Sequence, residues 1–224
     1  MARPKPRLKV GVLISGRGSN LQALIDAAAD PADPAEIVLV ISNRPEAPGI
    51  LRAQSAGIAH RVIAHSSREL FATEADRALR QSGAELVALA GFMRILDTAF
   101  VDAWRDRLVN IHPSLLPAFP GLHPQRQALA AGVRFSGCTV HFVRAEVDTG
   151  PIIAQAAVPV HAGDDEAILS ERILAAEHRI YPMAVRLIAE GRLRIIGDRV
   201  AVSGAVPPGI ALFNPSEVLA SPGG

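Results

Sequence analysis

Asn110 and His112 stand at the end of an apolar run, Leu108 to His112, and a stretch holding Pro113, Pro117 and Pro120 follows at once. On a strand, side chains two apart share a face, so the amide and the imidazole can address one reacting atom. Parallel α/β sheets build their sites at the C-terminal ends of strands, which is where this pair falls. An amide donor beside an imidazolium suits stabilisation of a developing oxyanion. A carboxylate close to the ring would hold its orientation and favour its charged form. Asp148, ahead of Thr149 and Gly150, is the downstream candidate, with a turn residue as the plain alternative.

A second cluster lies between the first strand and the first helix, at Ser15-Gly16-Arg17-Gly18-Ser19-Asn20. Glycines let the backbone approach an anion, and the helix start supplies free N–H groups. Ser19 and Asn20 add side-chain donors, so a phosphate site is expected over a plain capped turn. A dinucleotide site fits less well. Leu21 replaces the third glycine of GxGxxG, and Ser42-Asn43-Arg44 offers no acidic residue for a ribose. The spacing of a nucleoside-triphosphate loop is also absent, which favours a single terminal phosphate.

Two further readings compete here. Cys138 is a poor nucleophile candidate, since His141 falls on the opposite face of its strand. His112, His141 and Asp148 have the donor types of a two-histidine, one-carboxylate metal site. No local ligand spacing supports it, so a metal-free site is preferred and His141 is expected to be packed or supporting.

These residues need a scaffold, and the hydropathy pattern supplies one. Strands are expected at Leu8 to Ser15, Glu36 to Ser42, Ala59 to Ala64, Leu86 to Ala90 and Leu108 to His112. Helices fall between them, carried by the Leu21, Leu24, Ile25, Ala28 stripe, by Ala47 to Gly57, by Ser67 to Ser82, and by Asp97 to Arg105 with Asp97 as N-cap. That alternation predicts an α/β fold with a mainly parallel twisted sheet, flanking helices and a Rossmann-like N-terminal half. Strands at Gly137 to Arg144 and Pro151 to Val160 follow, then a helix from Asp164 to Glu190 interrupted at Pro182. A hairpin from Arg192 to Val202 turns at Gly197-Asp198. In the late helix, Leu169, Ile173, Ala176, Ile180 and Leu187 form a stripe with Glu177 at its border, projecting at a cleft edge or simply solvated.

Residues 1–224 read as a single domain: a basic frayed tail over 1–7, halves at 8–112 and 113–202, and a loose Pro, Gly and Ser-rich tail over 203–224. Hydrophobic residues make up 49% and charged residues 20%, as in globular proteins, and the net charge of +1 gives no nucleic-acid footprint. One cysteine excludes an internal disulfide, and the polar start and short apolar runs offer neither signal peptide nor membrane span. A cytoplasmic protein acting on small molecules, as monomer or homodimer, is the expectation.

SGRGSN after the first strand, AGFMRIL at Ala90 to Leu96, NIHPSLLP at Asn110 to Pro117, PGLH at Pro120 to His123 and DTGPII at Asp148 to Ile153 together resemble the phosphoribosylglycinamide formyltransferases. The likeness runs from Leu8 to Arg194. It implies transfer of a formyl group from 10-formyltetrahydrofolate, a co-substrate, to the amine of glycinamide ribonucleotide in purine biosynthesis, with no metal. By the same resemblance, Asn110, His112 and Asp148 form the catalytic trio. Gly18, Ser19, Asn20, Pro113 and Glu177 hold the ribonucleotide. Arg68, Met93, Arg94, Ile95, Leu96, Asn110, Arg144, Ala145, Glu146, Val147 and Asp148 contact the folate. Pro124 and Gln125 depart from the family pattern after His123.

The rivals are a formyltransferase acting on methionyl-tRNA, a formyltetrahydrofolate deformylase, and a non-catalytic nucleotide-binding module. The first needs no SGRGSN loop and does need a tRNA surface. The second usually carries an N-terminal regulatory domain, for which no room is expected before Leu8.

Overall fold

The apolar runs become the strands of one twisted sheet. β1 (Leu8–Ile14), β2 (Ala35–Ser42), β3 (His60–Val62), β4 (Leu86–Leu89) and β5 (Leu108–His112) are mutually parallel, and β6 (Phe135–Phe142) and β7 (Ile152–Pro159) add an antiparallel end. The order is β3-β2-β1-β4-β5-β6-β7, so the chain reverses direction of winding between β1 and β4. That switch point is where open α/β sheets leave a crevice. The computed structural model describes residues 6–206 together with Gly209, Leu212 and Asn214.

The helices are α1 (Ser19–Ala28), α2 (Gly49–Ser55), α3 (Arg68–Gln81), α4 (Thr98–Ala103), α5 (Pro124–Ala130) and α6 (Glu166–Ala189). Val10, Val12, Ile14, Val109, Ile111, Cys138 and Val140 pack with α1 and α6 on one face. Leu13, Ile41, Val87, Leu89 and Leu108 pack with α3 and α4 on the other. Both faces are covered at β1, β4, β5 and β6, so these strands read as continuous apolar runs instead of alternating ones, while β3 at the edge is exposed. β8 (Leu193–Ile196) and β9 (Arg199–Val202) form the expected hairpin.

Several expectations need adjusting. Pro182 does not interrupt α6: the helix is one element across it, with Tyr181, Ala184 and Val185 buried on either side. A single lost N–H bond is outweighed there by the burial of the next turn. Helix α5, which hydropathy did not suggest, starts with Pro124 at its first position behind His123 in the left-handed region at φ 55°. Asp97 does cap α4, accepting the Ala99 N–H at 2.9 Å. Arg3 and Lys5 lie outside the described residues, as does most of the C-terminal stretch. Arg7 is not frayed, since it donates to the Ala28 carbonyl at 2.6 Å and to that of Ala35. Asn214 donates to the Arg134 and Val160 carbonyls at 2.5 and 3.1 Å. Among the described residues no helix is long and apolar enough to cross a membrane.

Candidate active site

β5 ends at the crevice and presents Asn110 and His112 on one face, while Val109 and Ile111 go to the opposite core. Antiparallel register sets His141 of β6 directly across from Asn110, which brings a second imidazole into the cluster. The loop after β6 carries Asp148, held in the left-handed region at φ 56°, a conformation that costs energy for any residue but glycine. His112 Nδ1 lies 3.3 Å from Asp148 Oδ2, and His141 Nε2 lies 3.7 Å from Asp148 Oδ1. The Gly121 N–H donates to Asp148 Oδ2 at 2.8 Å.

Each imidazole commits one nitrogen to a carbonyl. His112 Nε2–H donates to the Phe119 carbonyl at 3.0 Å, and His141 Nδ1–H to that of Phe142 at 2.9 Å. Nδ1 of His112 and Nε2 of His141 are therefore the atoms turned to the carboxylate and the cleft. Asn110 Nδ2 is 3.4 Å from that Nε2. Because Phe119 is itself at φ 54°, the loop beneath His112 needs bracing. Thr139 provides it: its hydroxyl donates to the Ser114 carbonyl at 2.7 Å and accepts the Leu116 N–H at 3.0 Å.

Burial alone would raise the Asp148 pKa. The His141 imidazole beside it, the hydrogen bond from the Gly121 N–H and the charges of both imidazoles outweigh it, and the carboxyl sits below its ordinary value. Asp148 is thus a carboxylate throughout the neutral range. Cys138 is buried and its thiol is pushed up to about 12, chiefly by desolvation, which removes it as a nucleophile at neutral pH. His112, His141 and Asp148 do come together, but both rings address the carboxylate oxygens instead of a common centre.

Two clefts meet at this edge. One, of about 480 Å³, is lined by Met93, Arg94, Ile95, Leu96, Asn110, His112, His141 and Arg144 to Asp148, with Gly121 to Gln125 at its rim. Arg94 there donates to the carbonyls of His65 and Ser66 at 2.5 and 2.9 Å. Arg144 donates to Asp106 at 2.7 Å. Arg68, expected beside them, is exposed at the start of α3 and lines neither cleft.

The other cleft, of about 640 Å³, is lined by Ser15 to Asn20, Arg44, Pro113, Gln125, Glu171 and Glu177 among others. Gly91, Met93, Ile111, Pro113 and Gln125 line both. The glycine turn is built for close approach. Gly18 has φ 70°, and a Cβ there would stand 2.7 Å from Gly49 Cα. Ser15 ties the turn to its neighbours, donating to Asn43 Oδ1 at 2.6 Å and accepting the Met93 N–H at 2.8 Å.

Glu177 lines the larger cleft but is not solvated: it is 5% exposed, and its carboxylate accepts from Asn20 Nδ2 at 2.7 Å. Burial pushes its pKa up to about 7, against the pull of that hydrogen bond. Tyr181, one turn on, fixes α6 by donating to the Leu89 and Val109 carbonyls at 2.9 and 3.3 Å. His141, expected to be packed or supporting, is buried and lines the first cleft, and Gln125, to which the sequence assigned no role, lines both. Only strand register and the unforeseen α5 bring them in.

The formyl transferase family matches residues 8–185. Phosphoribosylglycinamide formyltransferase of Escherichia coli (strain K12) is 46% identical over 205 residues, covering 90% of this chain and 97% of that protein. A trifunctional purine biosynthetic protein, adenosine-3, of Drosophila pseudoobscura pseudoobscura is 57% identical over 199 residues. That match covers 87% of this chain but only 15% of the longer protein. Among solved structures, glycinamide ribonucleotide transformylase 1 of Symbiobacterium toebii superposes with a TM-score of 0.85 at 52% identity, covering 88% of this chain and 94% of that one. On sequence and fold alike, this chain belongs to the formyl transferase family, among its phosphoribosylglycinamide formyltransferases.

Proposed function

We propose that this chain moves a formyl group from 10-formyltetrahydrofolate to the amine of glycinamide ribonucleotide, a step of purine biosynthesis, without a metal and without a covalent enzyme intermediate. The observation that carries this is the shared wall of the two clefts. The larger carries the glycine turn and suits a phosphorylated substrate. The other, apolar at Met93, Ile95, Leu96 and Val147, suits a flat pterin. Their ligands meet beside Ile111 and Pro113, between the residues of the trio.

In the proposed step the neutral amine attacks the formyl carbon. Asn110 Nδ2 and the Nδ1–H of His112 donate to the developing oxyanion. Nδ1 is the nitrogen for this role because Nε2 is engaged by Phe119. At 3.3 Å the Asp148 contact is long for a charge-assisted bond, so the Nδ1 proton can be shared with an incoming oxygen. The new C–N bond forms as the bond to the folate nitrogen breaks. One proton leaves the amine and one reaches the leaving nitrogen, with the ionised Asp148 as relay. Gly18 and Ser19 receive the phosphate at the start of α1, and Glu177 holds the glycinamide end.

Mixing the protein with glycinamide ribonucleotide and 10-formyltetrahydrofolate, and following folate deformylation by absorbance, tests this. Deformylation that requires the ribonucleotide is expected. Equal rates without it would mean hydrolysis, and no reaction in either sample would leave a binding module. Sedimentation of the same preparation distinguishes the proposed monomer from the proposed homodimer.

A further inference from the structure

We infer that the side chain of Asn20 positions Glu177, linking the glycine turn to the carboxylate at the substrate's glycinamide end, and that this side chain is not a phosphate ligand; this rests on the function proposed above. The amide sits at the second position of α1, where a side-chain donor to an anion is expected. Its Nδ2 is instead turned inward, 2.7 Å from Glu177 Oε2. Its Oδ1 is buried with no partner among the described residues, and an amide oxygen repels an anion. Asn20 is 8% exposed and Glu177 5%, and both line the larger cleft.

The carboxylate has few other means of holding a charge. A buried carboxylate needs a donor or a cation to stay ionised. Among the described residues, Glu177 has no ion pair, and Asn20 is its one side-chain hydrogen-bond partner. The titratable groups facing it are the Cys138 thiol of β6 and the Tyr181 phenol of α6. Burial pushes both up, and the charge of Glu177 adds to the effect. Neither supplies a positive charge. Arg17, Arg44 and Glu171 line the same cleft without pairing with it. The Asn20 bond is what draws the Glu177 titration down toward neutrality against desolvation.

The test compares wild type with Asn20→Ala and with Asn20→Leu, which keeps the branched shape and removes the donor without adding a charge. The titration of Glu177 is read by NMR of side-chain-labelled glutamate, assigned by its loss in Glu177→Gln. Its midpoint should rise by about one unit or more in either variant that folds; an unmoved midpoint would overturn the inference. In turnover, the ratio of kcat/KM for glycinamide ribonucleotide to that for the dephosphorylated ribonucleoside should stay within about twofold of wild type. A collapse of that ratio would make Asn20 a phosphate ligand and end the proposal. Wild type that transfers no formyl group would sink the proposed reaction, while the NMR midpoint would still decide the role of Asn20.

Discussion

His112 Nδ1 and Asp148 Oδ2 stand 3.3 Å apart although one ends a parallel strand and the other sits in the loop after the first antiparallel one. The loop's own strain and the Gly121 N–H aim the carboxylate at the ring. If this pair and Asn110 act on the transition state alone, Asn110→Ala and His112→Ala should fold normally by circular dichroism. Each should lose about 10²–10³ in kcat. Near-normal turnover would remove that residue from the chemistry.

Asp148→Asn keeps the shape and removes the charge, so kcat should fall by roughly 10²–10⁴. It should also change stability on the acid side. The folded pKa of Asp148 lies below its unfolded value. Its stabilisation is therefore present above the ordinary carboxylate range and lost as pH falls through the lowered value. Thermal unfolding should show wild type losing its advantage over the variant as the buffer is taken from pH 6 to pH 3.

Glu177 has the opposite sign. Its folded pKa of about 7 exceeds the ordinary 4.5, so whatever it contributes is complete below pH 4.5 and is lost as pH rises through 7. Glu177→Gln should be more stable than wild type at pH 8, by on the order of 3 kcal/mol, and the gain should vanish near pH 4. Denaturant midpoints across that range measure it.

The loop bearing Asp148 depends on Gly150, where a Cβ would stand 1.7 Å from the Phe142 carbonyl oxygen. Gly150→Ala should cost about 1–3 kcal/mol and lower kcat by displacing the carboxylate. Gly163→Ala, with open space around it, is the control, and melting temperatures with turnover of both decide the matter.

Arg17 and Arg44 line the larger cleft and form no ion pair among the described residues. As counter-charges for a phosphate, their joint replacement by alanine should raise the KM for the ribonucleotide roughly tenfold and leave kcat unchanged. An unchanged KM would place the phosphate elsewhere.

Asn110 and His112 were legible because strand periodicity alone puts them on one face at a strand end. The parallel half was legible because strands buried on both faces leave continuous apolar runs. Asp148 was legible as a candidate carboxylate beside a turn, but only resemblance chose between the two, since nothing local in Asp-Thr-Gly distinguishes an orienting carboxylate from a turn. The position of His141 opposite Asn110 depends on antiparallel register, and the inward turn of Asn20 on packing against α6; neither leaves a one-dimensional trace. The seven residues of α5 are too few for a period to show, and Pro182 misleads because its penalty is offset by the combined burial of Ile180, Tyr181, Ala184 and Val185 around it.

The central claim is direct passage of the formyl group between ligands in adjoining clefts. Turning over 10-formyltetrahydrofolate labelled with ¹³C in the formyl group, with glycinamide ribonucleotide present, and reading the products by NMR tests it most directly. The account predicts the label in the amide of the formylated ribonucleotide. Label recovered as free formate would contradict it.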